Sequence, residues 1–151
     1  MVKLIVGGKG SGKTKRLVDD LNLQAQNPEA NIILLVRGDR LHEYVRHPIR
    51  VIDMSEYPVN NYDELLAFIA GLDAKDFDIS HVYIDSISKV ANVDDEEALA
   101  KFLPALEGFS KEKNFEVEIG SLTVPSQPKI RKPNTRATLA LFFCQIFLFL
   151  Y

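Results

Sequence analysis

With 151 residues, 46% of them apolar, the chain has material for one domain around one buried core. A single cysteine, Cys144, excludes an internal disulfide and a thiolate zinc cluster, and no secretory signal is read at the start, so a cytoplasmic location is expected. The net charge of −3 is unevenly spread, with all 21 acidic residues at or before Glu118 and only Lys129, Arg131, Lys132 and Arg136 charged after it. An acidic body lacks the basic footprint that contact with nucleic-acid phosphates needs, so no nucleic-acid partner is expected.

Val2 to Val6 is a short apolar run that reads as a first strand. It leads into Gly7, Gly8, Lys9, Gly10, Ser11, Gly12, Lys13 and Thr14, which have the G-x-x-x-x-G-K-[ST] form of a phosphate-binding P-loop. Glycines let a backbone curl until successive N–H groups face inward as a nest for phosphate oxygens. Gly7 would end the strand, and Gly12 would sit where a Cβ meets phosphate. Lys13 would set one ammonium against the β- and γ-phosphate oxygens, and the Thr14 hydroxyl is a short ligand for Mg²⁺. Leu17, Val18 and Leu21 follow at helical spacing, with Ala25 behind them.

Asn31 to Val36 is continuously apolar, as in a strand buried on both faces, and favours a parallel sheet. Arg37 to Arg40 then forms a loop, with Arg37 and Arg40 as candidate phosphate contacts or plain solvated arginines. A short helix is expected over Leu41 to His47 and a third strand over Arg50 to Met54, ending near Asp53, a candidate base by position only. Asn60 or Asn61 should cap a helix with Asp63 and Glu64 in its first turn and a stripe of Leu65, Leu66, Phe68, Ile69 and Leu72.

Val82 to Asp85 reads as a fourth strand ending in a carboxylate, a pattern that fits a Mg²⁺-holding Asp at a strand end. Ser86, not Glu, comes next, and so no water-orienting carboxylate is evident beside it. Lys89 would reach this region only if the chain turned back. A longer helix is expected from Asp94, with Glu97 completing a capping box, to Lys113, kinked or split at Pro104. Phe115 to Ile119 alternates apolar and acidic residues, as an edge or half-buried fifth strand would. His42, His47 and His81 show no metal-ligand spacing.

Residues 120–136 form a basic, proline-containing linker, and 137–151 is an uncharged, almost wholly apolar segment. Fifteen residues of helix cover about 22 Å, short of the ~30 Å of a hydrocarbon core, so a buried helix or strand is favoured over a membrane span.

LIVGGKGSGKTKRLVDDLN near the start and HVYIDSISKV in the middle resemble a group of small bacterial P-loop ATP-binding proteins labelled as twitching-motility-like ATPases. The likeness covers residues 1 to 119 and implies ATP binding through Gly7 to Thr14 and Asp85, without supplying a substrate. Thymidine kinases share the apolar strand and SGKT ending, but place Glu after the strand-end Asp and in many members carry a zinc-binding cysteine cluster; Ser86 and the single cysteine argue against them.

Together these readings predict a three-layer α/β P-loop NTPase fold over residues 1–119 with a mainly parallel sheet of about five strands. The expected ligands are ATP and Mg²⁺. Lys13 and Asp85 are the expected catalytic groups, Gly7 to Thr14 the nucleotide-binding residues, and Thr14 and Asp85 the metal ligands. The favoured activity is slow Mg²⁺-dependent ATP hydrolysis or a nucleotide-dependent switch. The alternatives are a small-molecule, nucleoside-type kinase and a non-catalytic adaptor joined through its tail to an unknown protein partner or, more weakly, to a membrane through 137–151.

Overall fold

The computed structural model describes residues 1–38 and 41–121, together with the backbone of 147–150. Its strands are β1 (Val2–Val6), β2 (Ile32–Val36), β3 (Arg50–Asp53), β4 (His81–Ile84), β5 (Glu116–Ser121) and β6 (Phe147–Leu150). They form one sheet in the order β3-β2-β4-β5-β1-β6, and every described pairing is parallel. The helices are α1 (Lys13–Gln24), α2 (Tyr62–Lys75), α3 (Ile87–Val90) and α4 (Glu96–Lys113). The fold is therefore α/β, and the five strands expected within residues 1–119 are joined by a sixth from the apolar segment.

The alternation of a strand sorts its side chains onto two faces, and each face has its own core. On one, α1 lays Leu17, Val18 and Leu21 over Ile5, Leu34 and Tyr83. On the other, α2 and α4 pack Leu65, Ile69, Phe102 and Leu106 against Leu4, Ile33, Ile84 and Ile119. This makes three layers. β2 is buried at every position, as its unbroken apolar run requires. Glu107 of α4 is also buried, and its carboxylate accepts from the Val2 N–H, tying α4 to the first residue of β1.

Several local expectations are corrected. The segment 41–47 contains only a 3-10 turn, His42–Tyr44, which buries no residue and so has nothing to extend it. α4 begins one residue later than read: Asp95, not Asp94, is the cap, its carboxylate accepting from Ala98 N–H at 3.0 Å. Pro104 does not split α4, which runs unbroken over 18 residues. The buried residues on both sides of it, Phe102, Leu103 and Leu106, hold the segment on the sheet despite the missing ladder bond.

β5 is not an edge strand. It lies between β4 and β1, with Val117 beside both Val82 and Val2. Its glutamates alternate onto the half of the α1-side face that α1 leaves open.

Gly120 and Ser121, assigned above to the linker, continue β5. Residues 122–136 of the linker, residues 137–146 and 151 of the apolar segment, and Arg40 lie outside the described residues. No helix among the described residues is long and apolar enough to cross a membrane.

Candidate functional site

The glycine loop leaves the tip of β1 at the carboxyl edge of the sheet. Gly7 N–H donates to the Ser121 carbonyl at 3.3 Å, prolonging the β1–β5 ladder by one bond. A Cβ on Gly7 would stand 2.4 Å from Ser11 Oγ and 3.2 Å from Ser11 Cβ, so a side chain there would make Ser11 shift. Gly12, immediately before α1, has φ +83°, the left-handed region that glycine adopts without strain.

The start of α1 is unusual in its chemistry. Gly12 supplies no side-chain cap and the first turn contains no acid. Among the described residues, the N–H groups of Gly8, Lys9, Gly10 and Gly12 make no backbone hydrogen bond. Lys13 instead folds back over the loop, its ammonium donating to the Gly7 carbonyl and, at 2.7 Å, to the Gly8 carbonyl. Donors, a cation and the positive end of a helix dipole thus meet at one exposed spot.

Asp85 follows β4, and β5 stands between β4 and β1. Even so the Thr14 hydroxyl donates to Asp85 Oδ1 at 2.9 Å, joining residues 71 apart in sequence. Asp85 N–H continues the sheet by donating to the Leu35 carbonyl at 3.1 Å. Ser86 turns the chain away with φ +59°, a left-handed conformation for a non-glycine residue, and α3 starts directly after it. Lys13, Thr14 and Asp85 are therefore brought together, in a half-buried setting with two hard oxygen donors in contact.

The other sequence candidates go elsewhere. Arg37 spends its guanidinium on backbone: Nε donates to the Lys89 carbonyl at 2.7 Å, and a terminal nitrogen donates to the Val59 carbonyl at 3.1 Å. It staples the end of β2 to α3. Asp53 accepts from Gly38 N–H at 3.0 Å and Ser55 N–H at 2.9 Å, which hold its carboxyl below the ordinary value and make it a loop tie. Lys89 is exposed, and its carbonyl is what Arg37 engages. Glu96 and Glu97 occupy the first turn of α4.

His42 and His47 are exposed, whereas His81 is part-buried, its Nδ1 2.9 Å from Ser80 Oγ, and burial lowers its pKa. Among the described residues no three His, Cys, Asp or Glu side chains cluster as a metal site.

Sequence reasoning missed a second polar cluster, on the sheet face beside α1. Tyr83 Oη donates to Asp20 Oδ2 at 2.6 Å, and burial with this bond raises its pKa. Glu118 has its pKa pushed up to about 7, first by burial and then by Asp20, against the opposing pull of Lys3 and Arg16. The acidic alternation in Phe115 to Ile119 was its signal, but alternation cannot tell which acid is half-buried.

Along the outer flank of α1 runs an open groove. A space of about 400 Å³ beside the loop is lined by Ile5, Ser11, Gly12, Lys15, Arg16 and Asp19. A second, of about 610 Å³, shares Ile5, Arg16 and Asp19 with it and extends past Lys3 to Glu116 and Glu118.

No family model matches this chain, and no curated protein matches it either.

Proposed function

We propose that the protein is a P-loop NTPase that binds ATP with Mg²⁺ and turns it over slowly, acting through nucleotide occupancy. The observation that carries this reading is the 2.9 Å contact between the hydroxyl of Thr14, directly after Lys13, and the carboxylate of Asp85 at the tip of another strand. A loop of this form, a lysine at the positive end of a helix, and a hydroxyl paired to a strand-end carboxylate are the groups that phosphate and Mg²⁺ binding call for.

The parts have separate roles. The loop amides that make no backbone hydrogen bond among the described residues would take phosphate oxygens, and Lys13 would leave its carbonyls for the β- and γ-phosphates. Thr14 and Asp85 would hold the magnesium ion. Mg²⁺ suits them because it binds through one or two carboxylates, keeps several waters and needs no cluster of acids. Bound there, the ion would neutralise charge on the phosphate oxygens. The groove beside α1, opening next to Ser11 and Gly12, has room for the nucleoside.

Slow turnover follows from what surrounds Asp85. The next residue is Ser86, in a left-handed turn, and Asp53 and Arg37 are bound to backbone away from the loop. Among the described residues, then, none of the sequence candidates stands ready to orient an attacking water.

A single-turnover assay tests the reading, with protein in excess over labelled MgATP and both bound nucleotide and free phosphate followed. Wild type should bind ATP and release phosphate slowly, while Asp85→Ala should lose the magnesium-dependent part of both. An affinity for ATP that is unchanged in Lys13→Ala would overturn the reading.

A further inference from the structure

The contact between Thr14 and Asp85 raises a geometric question. Strands in a sheet lie ~4.8 Å apart, so the tips of β4 and β1 are separated by roughly 10 Å with β5 between them. An aspartate is short. For its carboxylate to meet a hydroxyl at the start of the helix after β1, the space over the tip of β5 must be clear.

The register identifies what lies there. Ile84 pairs with Ile119 and Gly120 pairs with Ile5, so one step further Asp85, Gly120 and Ile5 stand in a row across three strands. Tyr83 and Ile5 belong to the core beneath α1, and the period of two puts positions 85 and 120 on that same face. Gly120 is buried. A Cβ built on it would lie 3.4 Å from Ser86 N and 3.8 Å from Asp85 Oδ1, the oxygen that accepts from Thr14.

Backbone conformation does not explain this glycine. The glycines with positive φ are Gly10, Gly12 and Gly38, so position 120 has a conformation open to any residue. A methyl group would make ordinary contacts there, but a larger side chain would enter the gap that the carboxylate crosses.

We propose that Gly120 sets the reach of Asp85: the missing side chain at the tip of β5 is the passage through which a β4 carboxylate meets the hydroxyl of Thr14. Gly120 is thus a positioning residue that acts through Asp85. Its consequence for magnesium rests on the nucleotide reading, but the positioning itself is a property of the ligand-free fold.

The test separates the two. Thr14→Ala, Asp85→Ala and their double variant are unfolded in urea without ligand, and the coupling between them is measured in the parent chain and again with Gly120→Ala, Gly120→Cys and Gly120→Val. The coupling should be present in the parent, kept with alanine, reduced with cysteine and lost with valine. If the valine variant does not fold, the cysteine variant decides. Absence of coupling in the parent, its loss with alanine, or its persistence at full size with cysteine would each overturn the proposal.

A second readout is the Mg²⁺ concentration needed for half-maximal binding of a fluorescent ATP analogue. It should rise at least tenfold in Gly120→Val, or several-fold in Gly120→Cys, while magnesium-free binding stays as in the parent; an unchanged Mg²⁺ requirement in a variant that has lost the coupling would overturn the proposed consequence. A parent chain with the expected coupling but no binding of the analogue keeps the role of Gly120 and removes the nucleotide reading.

Discussion

The helices begin in two different ways. α2 starts behind Asn61, whose side chain accepts from Glu64 N–H, with Asp63 and Glu64 in its first turn and Lys75 in its last. α4 starts behind Asp95, with Glu96 and Glu97 in the first turn and Lys111 and Lys113 in the last. Both complement their dipoles and cap their own free donors. α1 does neither: it opens on Gly12 with Lys13 in place of an acid, and no basic residue closes it. A helix start that answers its own electrostatics has no use for a ligand there. One that breaks the local rules, beside loop amides without backbone partners, is suited to an anion from outside. The proposed phosphate site is where α1 differs from α2 and α4.

The contrast can be broken most directly at Lys13. Lys13→Ala should lower ATP affinity more than a hundredfold by equilibrium titration while leaving the ligand-free melting temperature near that of the parent. A large loss of ligand-free stability would make Lys13 a structural tie instead.

A smaller effect is expected on the flank of the same helix, at Glu118. Because its pKa is raised from 4.5 to about 7, the folded chain holds this proton over a range in which the unfolded chain has lost it. Between those values the unfolded state binds fewer protons, so stability from this group falls as pH rises from about 4.5 to about 7. Glu118→Gln should remove that slope and be the more stable chain at pH 8, in denaturant titrations at several pH values.

The self-sufficient helix start gives the next effect. Asp95→Ala removes the cap of α4 and should cost about 1 kcal/mol in denaturation, with ATP affinity unchanged. A loss of affinity there would erase the distinction between the two kinds of helix start. Least of all should happen at Lys15, whose exposed bond to Asp19 at 2.6 Å lies on the solvent side of α1. Lys15→Ala should leave the melting temperature unchanged, and a measurable drop would show that α1 depends on its surface pairs more than its buried stripe.

Much of this was legible from local pattern. The apolar runs located β1, β2 and β4, and helical spacing found Leu17, Val18 and Leu21 of α1 and Leu65, Ile69 and Leu72 of α2, because a period is a property of neighbouring residues. A cap at Asn60 or Asn61 was readable for the same reason, and Asn61 takes the role. Legibility failed where distant contacts decide. The alternation in Phe115 to Ile119 fits an edge or a half-buried strand equally, and β5 is the second, interior to the sheet; only the placement of α1 shows which half of that face stays open to water. Arg37 and Asp53 looked available for chemistry because a sequence does not display the carbonyls and amides that fold around them.

By itself, then, the chain's sequence determined the five strands and the helices α1, α2 and α4 within residues 1–119, the glycine loop and its lysine, and the carboxylate at the end of a strand. These depend on spacing, side-chain polarity and the backbone freedom of glycine, all short-range properties. Tertiary structure alone decided that β5 separates β4 from β1, that Asp85 still reaches Thr14, and that Gly120 keeps the way clear. Strand order and the space between side chains arise from contacts dozens of residues apart, which no local pattern records.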